Sequence, residues 1–360
     1  MPRLTTWAIL EAYKHNPLLP LLLRECRTLS SAVNELRWLR ERAQRAVSLK
    51  PMNGRDGGKQ AFFGWRRLLK SMCLERSRGV PLQYILGDQP FGELDIKCTK
   101  GVLIPRHETE AITFHTAKLI QDRMSCVGRN GAAPLRILDL CTGTGCISLL
   151  LHALLSPHFQ RLSIVGVDIS AAAIRVAKEN VERNVRLKSL SERALTDVNF
   201  RYGNVLEFSS SRLSRLDDLF DRTTGLSAPS GPHCDVLISN PPYVSVKEYH
   251  DGTTSRSVRM FEPKLALVPP ESTHLSMVGS RHVQREDIFY YHIACLVTLF
   301  QVKMAVFECG CRSQAMRVAT ICEYIIGRHS GPNGSVLVDV WSVTGDDTDP
   351  CAVIVYNHRS

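Results

Sequence analysis

The apolar run Asp235-Val236-Leu237-Ile238-Ser239 ends in Asn240-Pro241-Pro242-Tyr243, a corner whose residue types suit the capture of a planar nitrogen. Two successive prolines donate no backbone hydrogen bond and hold the chain stiff, so the strand stops there with its carbonyls turned outward. The Asn240 side-chain oxygen and the Pro241 carbonyl are two acceptors of fixed direction, matched to the two N–H bonds of a primary amide or an exocyclic amine. Tyr243 adds a flat surface and Pro242 fixes the turn. A nitrogen gripped in this way has its lone pair aimed along one line, as an in-line methyl displacement requires. The competing reading is a proline-rich turn after a buried strand, so the elements around the corner must decide.

Upstream, Leu135-Arg136-Ile137-Leu138-Asp139-Leu140 runs into Cys141-Thr142-Gly143-Thr144-Gly145, and then Cys146-Ile147-Ser148-Leu149-Leu150-Leu151 follows. That pattern predicts a strand, a tight glycine turn and a helix, the first unit of a nucleotide-binding α/β sheet. Gly143 and Gly145 let the backbone approach a ligand, but the spacing is not G-x-G-x-x-G, so a pyrophosphate is not the expected ligand. A second apolar strand, Leu162 to Val167, closes on Asp168 roughly 20 to 30 residues beyond the turn, where such folds hold ribose hydroxyls. Asp168 is therefore read as the ribose ligand; the alternative is a cap for the helix starting near Ser170.

These segments resemble the HemK/PrmC family of release-factor glutamine methyltransferases, and the resemblance runs through nearly the whole chain. Pro81-Leu82-Gln83-Tyr84-Ile85-Leu86-Gly87 with Phe91-Gly92, Ile104-Pro105-Arg106-His107-Glu108-Thr109-Glu110, and Phe261-Glu262-Pro263 with Ala266-Leu267 are similar to family segments. Asn-Pro-Pro-Tyr is shared with DNA and RNA amino-methyltransferases, so the flanking segments are what narrow the resemblance. It implies a Rossmann-like class I S-adenosylmethionine-dependent sheet behind a helical N-terminal domain. It also implies methylation of a glutamine amide in the Gly-Gly-Gln loop of a release factor. By the same resemblance Asn240, Pro241, Pro242 and Tyr243 are catalytic, and Cys141, Thr142, Gly143, Thr144, Gly145, Asp168, Asn204, Val205 and Asn240 hold the cofactor. Two positions depart from the family. Cys141 stands where a glycine usually opens the loop, and a conformation tolerated by a small side chain is expected there. Asn204 stands where an Asp commonly holds the adenine amine. The rival activities are a nucleic-acid amino-methyltransferase and a binding protein that has lost cofactor affinity.

The 360 residues, 44% of them hydrophobic, suffice for two domains. The expected division is a helical substrate-docking domain over 1–88, a hairpin linker over 89–105 and a methyltransferase domain over 106–360, with a flexible insertion at 208–233. Residues 1–80 carry 16 Lys plus Arg against 6 Asp plus Glu, so the formal excess of +10 lies there. That balance suits docking on an acidic partner or proximity to a ribosome or RNA; solvated helix faces are the alternative. Within the lobe, Phe62, Trp65, Leu69 and Met72 predict one helix, and Ser30-Ser31 can cap another carrying Val33, Leu36, Leu39 and Ala43. Lys50 to Lys59 reads as a loop.

The 12 cysteines form no C-x-x-C pair. His292-x-x-Cys295 and Cys309-x-Cys311 fall in a helical run and at a strand end, so no metal is expected. Ser148 lacks a G-x-S-x-G setting, which argues against covalent catalysis. No apolar run approaches the roughly 20 residues of a membrane span. The basic N-terminus and the bacterial-type helical domain point to mitochondria, with the cytoplasm as the alternative.

Overall fold

Alternating and continuous apolar runs become helices and strands in two separate units. The computed structural model describes residues 4–48, 57–124, 134–207, 234–271, 277–329 and 335–358. The expected insertion at 208–233 lies outside the described residues, as do residues 50–56 of the expected loop. One unit comprises Met1–Asp88 with Ser255–Phe261, and the other Gln89–Thr254 with Glu262–Ser360.

The first unit is built from α1 (Thr6–His15), α2 (Leu19–Cys26), α3 (Leu29–Ser48), α4 (Gly57–Ser77) and the short α5 (Leu82–Leu86). Pro20 stands in the first turn of α2, where its missing N–H costs nothing. Leu22 and Leu23 of α2, Leu36 and Leu39 of α3, and Leu69 and Met72 of α4 bury one face of each helix in a shared core. Two expectations are corrected. Thr28, rather than Ser30 or Ser31, caps α3 by accepting the Ser31 N–H at 3.3 Å, and Val33 faces outward while Ala32 lies in the core. Residues 57–59, read as loop, already belong to α4. Arg76 donates through Nε and Nη2 to the two oxygens of Glu35 at 2.8 and 3.0 Å, a fork that joins α4 to α3.

The second unit opens with a hairpin, β1 (Asp88–Phe91) and β2 (Leu94–Lys97), followed by α6 (His107–Arg123). Then come β3 (Leu135–Leu140), α7 (Cys146–Leu155), β4 (Leu162–Asp168), α8 (Ala171–Arg186), α9 (Ala194–Asp197) and β5 (Val198–Tyr202). After β6 (Val236–Ser239) the chain forms α10 (Val246–His250) and α11 (Arg256–Phe261), the latter counted with the first unit. A ribbon of β7 (Met277–Val278) and β8 (Arg281–His282), then α12 (Ile288–Leu299), β9 (Met304–Cys309), α13 (Arg312–His329), β10 (Ser335–Ser342) and β11 (Cys351–His358) complete it. Seven strands form one sheet in the order β10-β11-β9-β6-β3-β4-β5, parallel except where β11 meets its two neighbours. β3, β6 and β9 are buried along their whole length, as a sheet covered on both faces demands. From β3 the chain runs outward through β4 and β5 and then returns to the other side of β3 with β6, so the direction of winding reverses between β3 and β6. Ligands of such sheets bind at the carboxyl end of that crevice.

The hairpin contributes to the second unit's core, where Phe91, Leu94 and Ile96 are buried against α7 and the sheet. Its outer edge is closed by a helix. Asn184 of α8 accepts the Asp95 N–H at 2.9 Å and donates to the Asp95 carbonyl at 3.1 Å, and Asn180 accepts the Lys97 N–H at 2.7 Å. Two asparagines one turn apart thus take the place of a neighbouring strand. Asn180 also donates to the Thr144 carbonyl at 3.0 Å, so the same side chain supports the glycine turn. Among the described residues no helix is long and apolar enough to cross a membrane. Replacing Asn184 by Leu strands both backbone groups of Asp95 and is expected to cost the second unit about 2 kcal/mol. Urea denaturation followed by circular dichroism reads that loss.

Candidate active site

Strand register assembles the site. Leu140 of β3 pairs with Val167 of β4 and Ser239 of β6, and Ser239 pairs with Phe307 of β9. The residue after each of these is Cys141, Asp168, Asn240 and Glu308, so these four side chains stand in one row at the carboxyl edge of the sheet. Beside that row lies a cavity of ≈ 350 Å³. It is lined by Cys141, Gly143, Asp168, Asn204, Val205, Asn240 and Pro242 among the residues singled out in the sequence, and by Val102, Ile169 and Phe289, which were not. Thr142, Thr144, Gly145, Pro241 and Tyr243 do not line it.

The glycine turn works from two directions. Asp139, at the end of β3, is fully buried and accepts hydroxyl hydrogen bonds from Thr142 and Ser148, both at 2.6 Å, which pins the turn to the start of α7. Burial pushes the Asp139 carboxyl up to about 6, against the pull of those two donors. Gly145 has φ +79°, and a Cβ there would come within 2.7 Å of the Phe200 ring, so only glycine fits. Gly143 differs, because a Cβ built on it meets nothing within 4 Å and the residue faces the cavity. That bare backbone leaves room for a ligand to lie against it.

Cys141 corrects the expectation made for it. Its φ is +62°, so the position does take the left-handed conformation that a glycine would adopt freely. Burial and the neighbouring Asp168 and Asp139 charges raise its thiol well above the ordinary range, which leaves a neutral, unreactive side chain beside the cavity.

Asp168 accepts the Gly143 N–H at 2.9 Å through one oxygen and the Ser170 N–H at 2.8 Å through the other. The cap of α8 is Ser170, whose hydroxyl accepts the Ala173 N–H, so the capping alternative for Asp168 falls to its neighbour. Burial raises the Asp168 carboxyl, opposed by the backbone donors. Each oxygen keeps a further lone pair for a diol at the cavity wall. Asn204 spends its side chain locally, accepting the Leu206 N–H at 3.1 Å and donating to Glu207 at 2.8 Å. Gly143, Asp168 and the apolar wall fit a nucleoside carrying a small polar tail, and the volume falls in the ordinary range for such ligands.

The Asn-Pro-Pro-Tyr corner is clamped by the segments that flank it in the family pattern. The Ser239 hydroxyl donates to the Leu140 carbonyl at 2.8 Å, tying β6 to β3 one residue before the corner. Asn240 donates through Nδ2 to the Thr109 hydroxyl at 3.1 Å, which orients the amide and leaves Oδ1 free for a ligand. The Val244 N–H is held by the Leu267 carbonyl at 2.8 Å. Buried Glu262 accepts the Ile104 N–H at 3.1 Å and Arg106 Nη2 at 2.7 Å. Tyr243 turns away from the cavity and packs against Gly310, where a Cβ would sit 3.0 Å from its ring. Its phenol is raised by burial and stays neutral. With Ser245, Glu248 and Cys311 it lines a second cavity of ≈ 310 Å³. The corner therefore has one ligand space at Asn240 and Pro242 and another at Tyr243.

Gln314 and Glu308 escaped the sequence reading. Gln314 Nε2 donates to the Tyr243 carbonyl at 3.2 Å and its Oε1 accepts the Gly310 N–H at 2.9 Å. Glu308 accepts the Thr109 hydroxyl at 3.0 Å. An acid closing an otherwise apolar strand was the available signal. Among the described residues no cluster of metal-binding side chains occurs.

A family model described as a methyltransferase domain matches residues 133–234. The mitochondrial MRF1 N(5)-glutamine methyltransferase MTQ1 of Saccharomyces cerevisiae is 34% identical over 81% of this chain and 76% of its own. A probable MRF1 mitochondrial N(5)-glutamine methyltransferase of Schizosaccharomyces pombe is 34% identical over 74% and 73%. The release factor glutamine methyltransferase of Bacillus subtilis is 31% identical over 88% of both chains. The left-handed Cys141 gives a test of the glycine turn. Cys141→Gly is expected to raise stability by about 1 kcal/mol, and Cys141→Val, β-branched at positive φ, to lower it by more than that. Urea midpoints of the two variants should move in opposite directions.

Proposed function

This chain belongs to the release factor N5-glutamine methyltransferase family, and we propose on that premise that it methylates the glutamine amide in the Gly-Gly-Gln loop of a peptide-chain release factor. The cofactor is S-adenosylmethionine, which when bound supplies a sulfonium methyl and departs as a thioether. The observation that carries the reading is the polarity of Asn240. With Nδ2 committed to Thr109, its Oδ1 is an acceptor, the partner that a substrate N–H needs.

The chain's own residues do the rest by positioning and electrostatics. Gly143, Asp168, Val205 and Ile169 line one cavity and would hold the cofactor there, Gly143 with bare backbone, Asp168 by accepting from the ribose, and Val205 and Ile169 with apolar surface for the base. Asn240 Oδ1 and the Pro241 carbonyl each accept one N–H of the glutamine amide. An amide nitrogen is a weak nucleophile because its lone pair is shared with the carbonyl, and two acceptors favour the pyramidal form in which that pair is released. The same acceptors stabilise the positive charge that grows on nitrogen as the new C–N bond forms and the C–S bond breaks. The cationic product loses its extra proton to water, so no strong base is required. The cavity at Tyr243 is the space proposed for the glutamine side chain.

Two relatives are named as mitochondrial enzymes acting on MRF1, and a mitochondrial release factor is the substrate assigned to this chain, with mitochondria as its location. The basic excess of residues 1–80 suits an acidic surface on that partner or on nearby RNA. Mass spectrometry of a release factor incubated with the full chain and S-adenosylmethionine is expected to find one added methyl on the Gly-Gly-Gln glutamine. Methyl transfer to DNA or RNA instead would overturn the assignment. Asn240→Ala should lower kcat by about 10²- to 10³-fold while calorimetry finds cofactor binding nearly unchanged; turnover close to wild type would sink the role given to Asn240.

A further inference from the structure

We propose that Glu308 is a positioning residue that decides which end of the Asn240 amide faces the substrate, acting through the Thr109 hydroxyl. The inference rests on the reading of Asn240 given above and extends it to side chains that do not touch the ligand. Glu308 stands one residue beyond Phe307, which pairs with Ser239, so register places it beside Asn240. Both Glu308 and Thr109 are buried. Thr109 Oγ1 donates to Glu308 Oε1 at 3.0 Å and accepts from Asn240 Nδ2 at 3.1 Å, while Glu308 Oε2 is buried with no hydrogen-bond partner.

An ionised carboxylate can only accept, so the single hydroxyl proton of Thr109 is committed to Glu308. The threonine oxygen then has only lone pairs to offer Asn240, and the amide must present Nδ2 to it. Oδ1 consequently faces the ligand. A proton on Glu308 removes this constraint, because the carboxylic acid can donate to Thr109 and the hydroxyl proton can turn toward Asn240. The amide is then equally satisfied with Oδ1 inward, and its NH₂ would meet the substrate NH₂, donor against donor. A buried acid with an orphaned oxygen is costly to keep, and a neutral glutamine would serve packing as well. Its charge is what the relay requires.

The surroundings favour a titration near neutrality. Burial raises the Glu308 carboxyl to about 7, against the Thr109 hydrogen bond and the Arg106 charge that pull it down, while Glu108 pushes it up; Arg106 and Glu108 stand at the start of α6. The other titratable groups facing it are Cys146 of α7, Cys351 of β11 and Tyr243. Tyr290 of α12 donates to the Glu308 carbonyl. These thiols and phenols are all raised by burial and stay neutral around pH 7. Glu308 is thus the member of the group whose charge changes there.

The test uses the full chain, a release factor and S-adenosylmethionine, both saturating, with kcat followed from about pH 6 to about pH 9. Wild-type kcat is expected to fall as pH drops through about 7, because the ionised form is the competent one. Glu308→Gln should be low by about tenfold at the alkaline end and lack the step, with cofactor binding by calorimetry unchanged. Thr109→Val should lose the step in the same way and Thr109→Ser should keep it; these two test the relay even if Glu308→Gln does not fold. A methylating wild type whose pH profile survives Glu308→Gln or Thr109→Val overturns this inference alone. A wild type that methylates no release factor at any pH overturns the proposed function, and this inference with it.

Discussion

The register of four parallel strands is the constraint on which the site depends. Once Leu140, Val167, Ser239 and Phe307 share a row, the residues that follow them must emerge together at the carboxyl edge. A slip of one residue in β6 would turn Asn240 from the crevice to the opposite face. What prevents it is polar as well as apolar. Asp235, at the start of β6, accepts the Arg136 N–H at 2.9 Å and Lys303 Nζ at 2.8 Å, and Ser239 at its end donates to Leu140. The strand is therefore pinned at both ends to its neighbours, and the proline corner begins from a fixed point.

Buried acids recur around this row, and each is used to orient something else. Asp139 gathers the hydroxyls of Thr142 and Ser148 and so shapes the turn. Glu262 gathers Ile104 and Arg106, and Glu308 gathers Thr109. Each burial costs solvation, offset by hydrogen bonds that fix direction. The effect is to extend the sheet's rigidity past its edge: Asp168 and Glu308 still belong to β4 and β9, whereas Cys141 and Asn240 lie just beyond β3 and β6.

What the sequence made legible was chemistry carried by neighbours along the chain. Asn-Pro-Pro-Tyr, the glycine turn and Asp168 after its strand could all be read because their meaning lies in adjacent residues. The strands Leu135–Leu140 and Leu162–Asp168 were legible for the same reason. The relay was not, because Thr109 and Glu308 are 199 residues apart and Thr109 and Asn240 are 131 apart. Nor was the edge of the hairpin, where Asn180 and Asn184 pair with β2 across 83 and 89 residues. A stripe of polar residues on a helix ordinarily signals the solvent face, and here it is fully buried. The segment Ser255–Phe261 likewise joins the first unit although it follows the Asn-Pro-Pro-Tyr corner in the chain. Ser257 donates to the Gly79 carbonyl at 2.6 Å.

The two departures from the family pattern have different physical standing. Cys141 keeps the left-handed backbone and accepts its strain, which argues that the turn geometry is imposed by the elements around it rather than chosen by the residue. Asn204 is better matched to its surroundings than the Asp common in the family would be. Its Oδ1 holds the Leu206 N–H, which an Asp could also do, but its Nδ2 donates to Glu207 at 2.8 Å. An Asp in the same rotamer would bring two carboxylates into contact and lose that bond. Asn204 and Glu207 therefore have to be read as a pair that fixes the turn at the end of β5. The missing charge at Asn204 is the consequence of the acid three residues later, and the cavity wall keeps its shape.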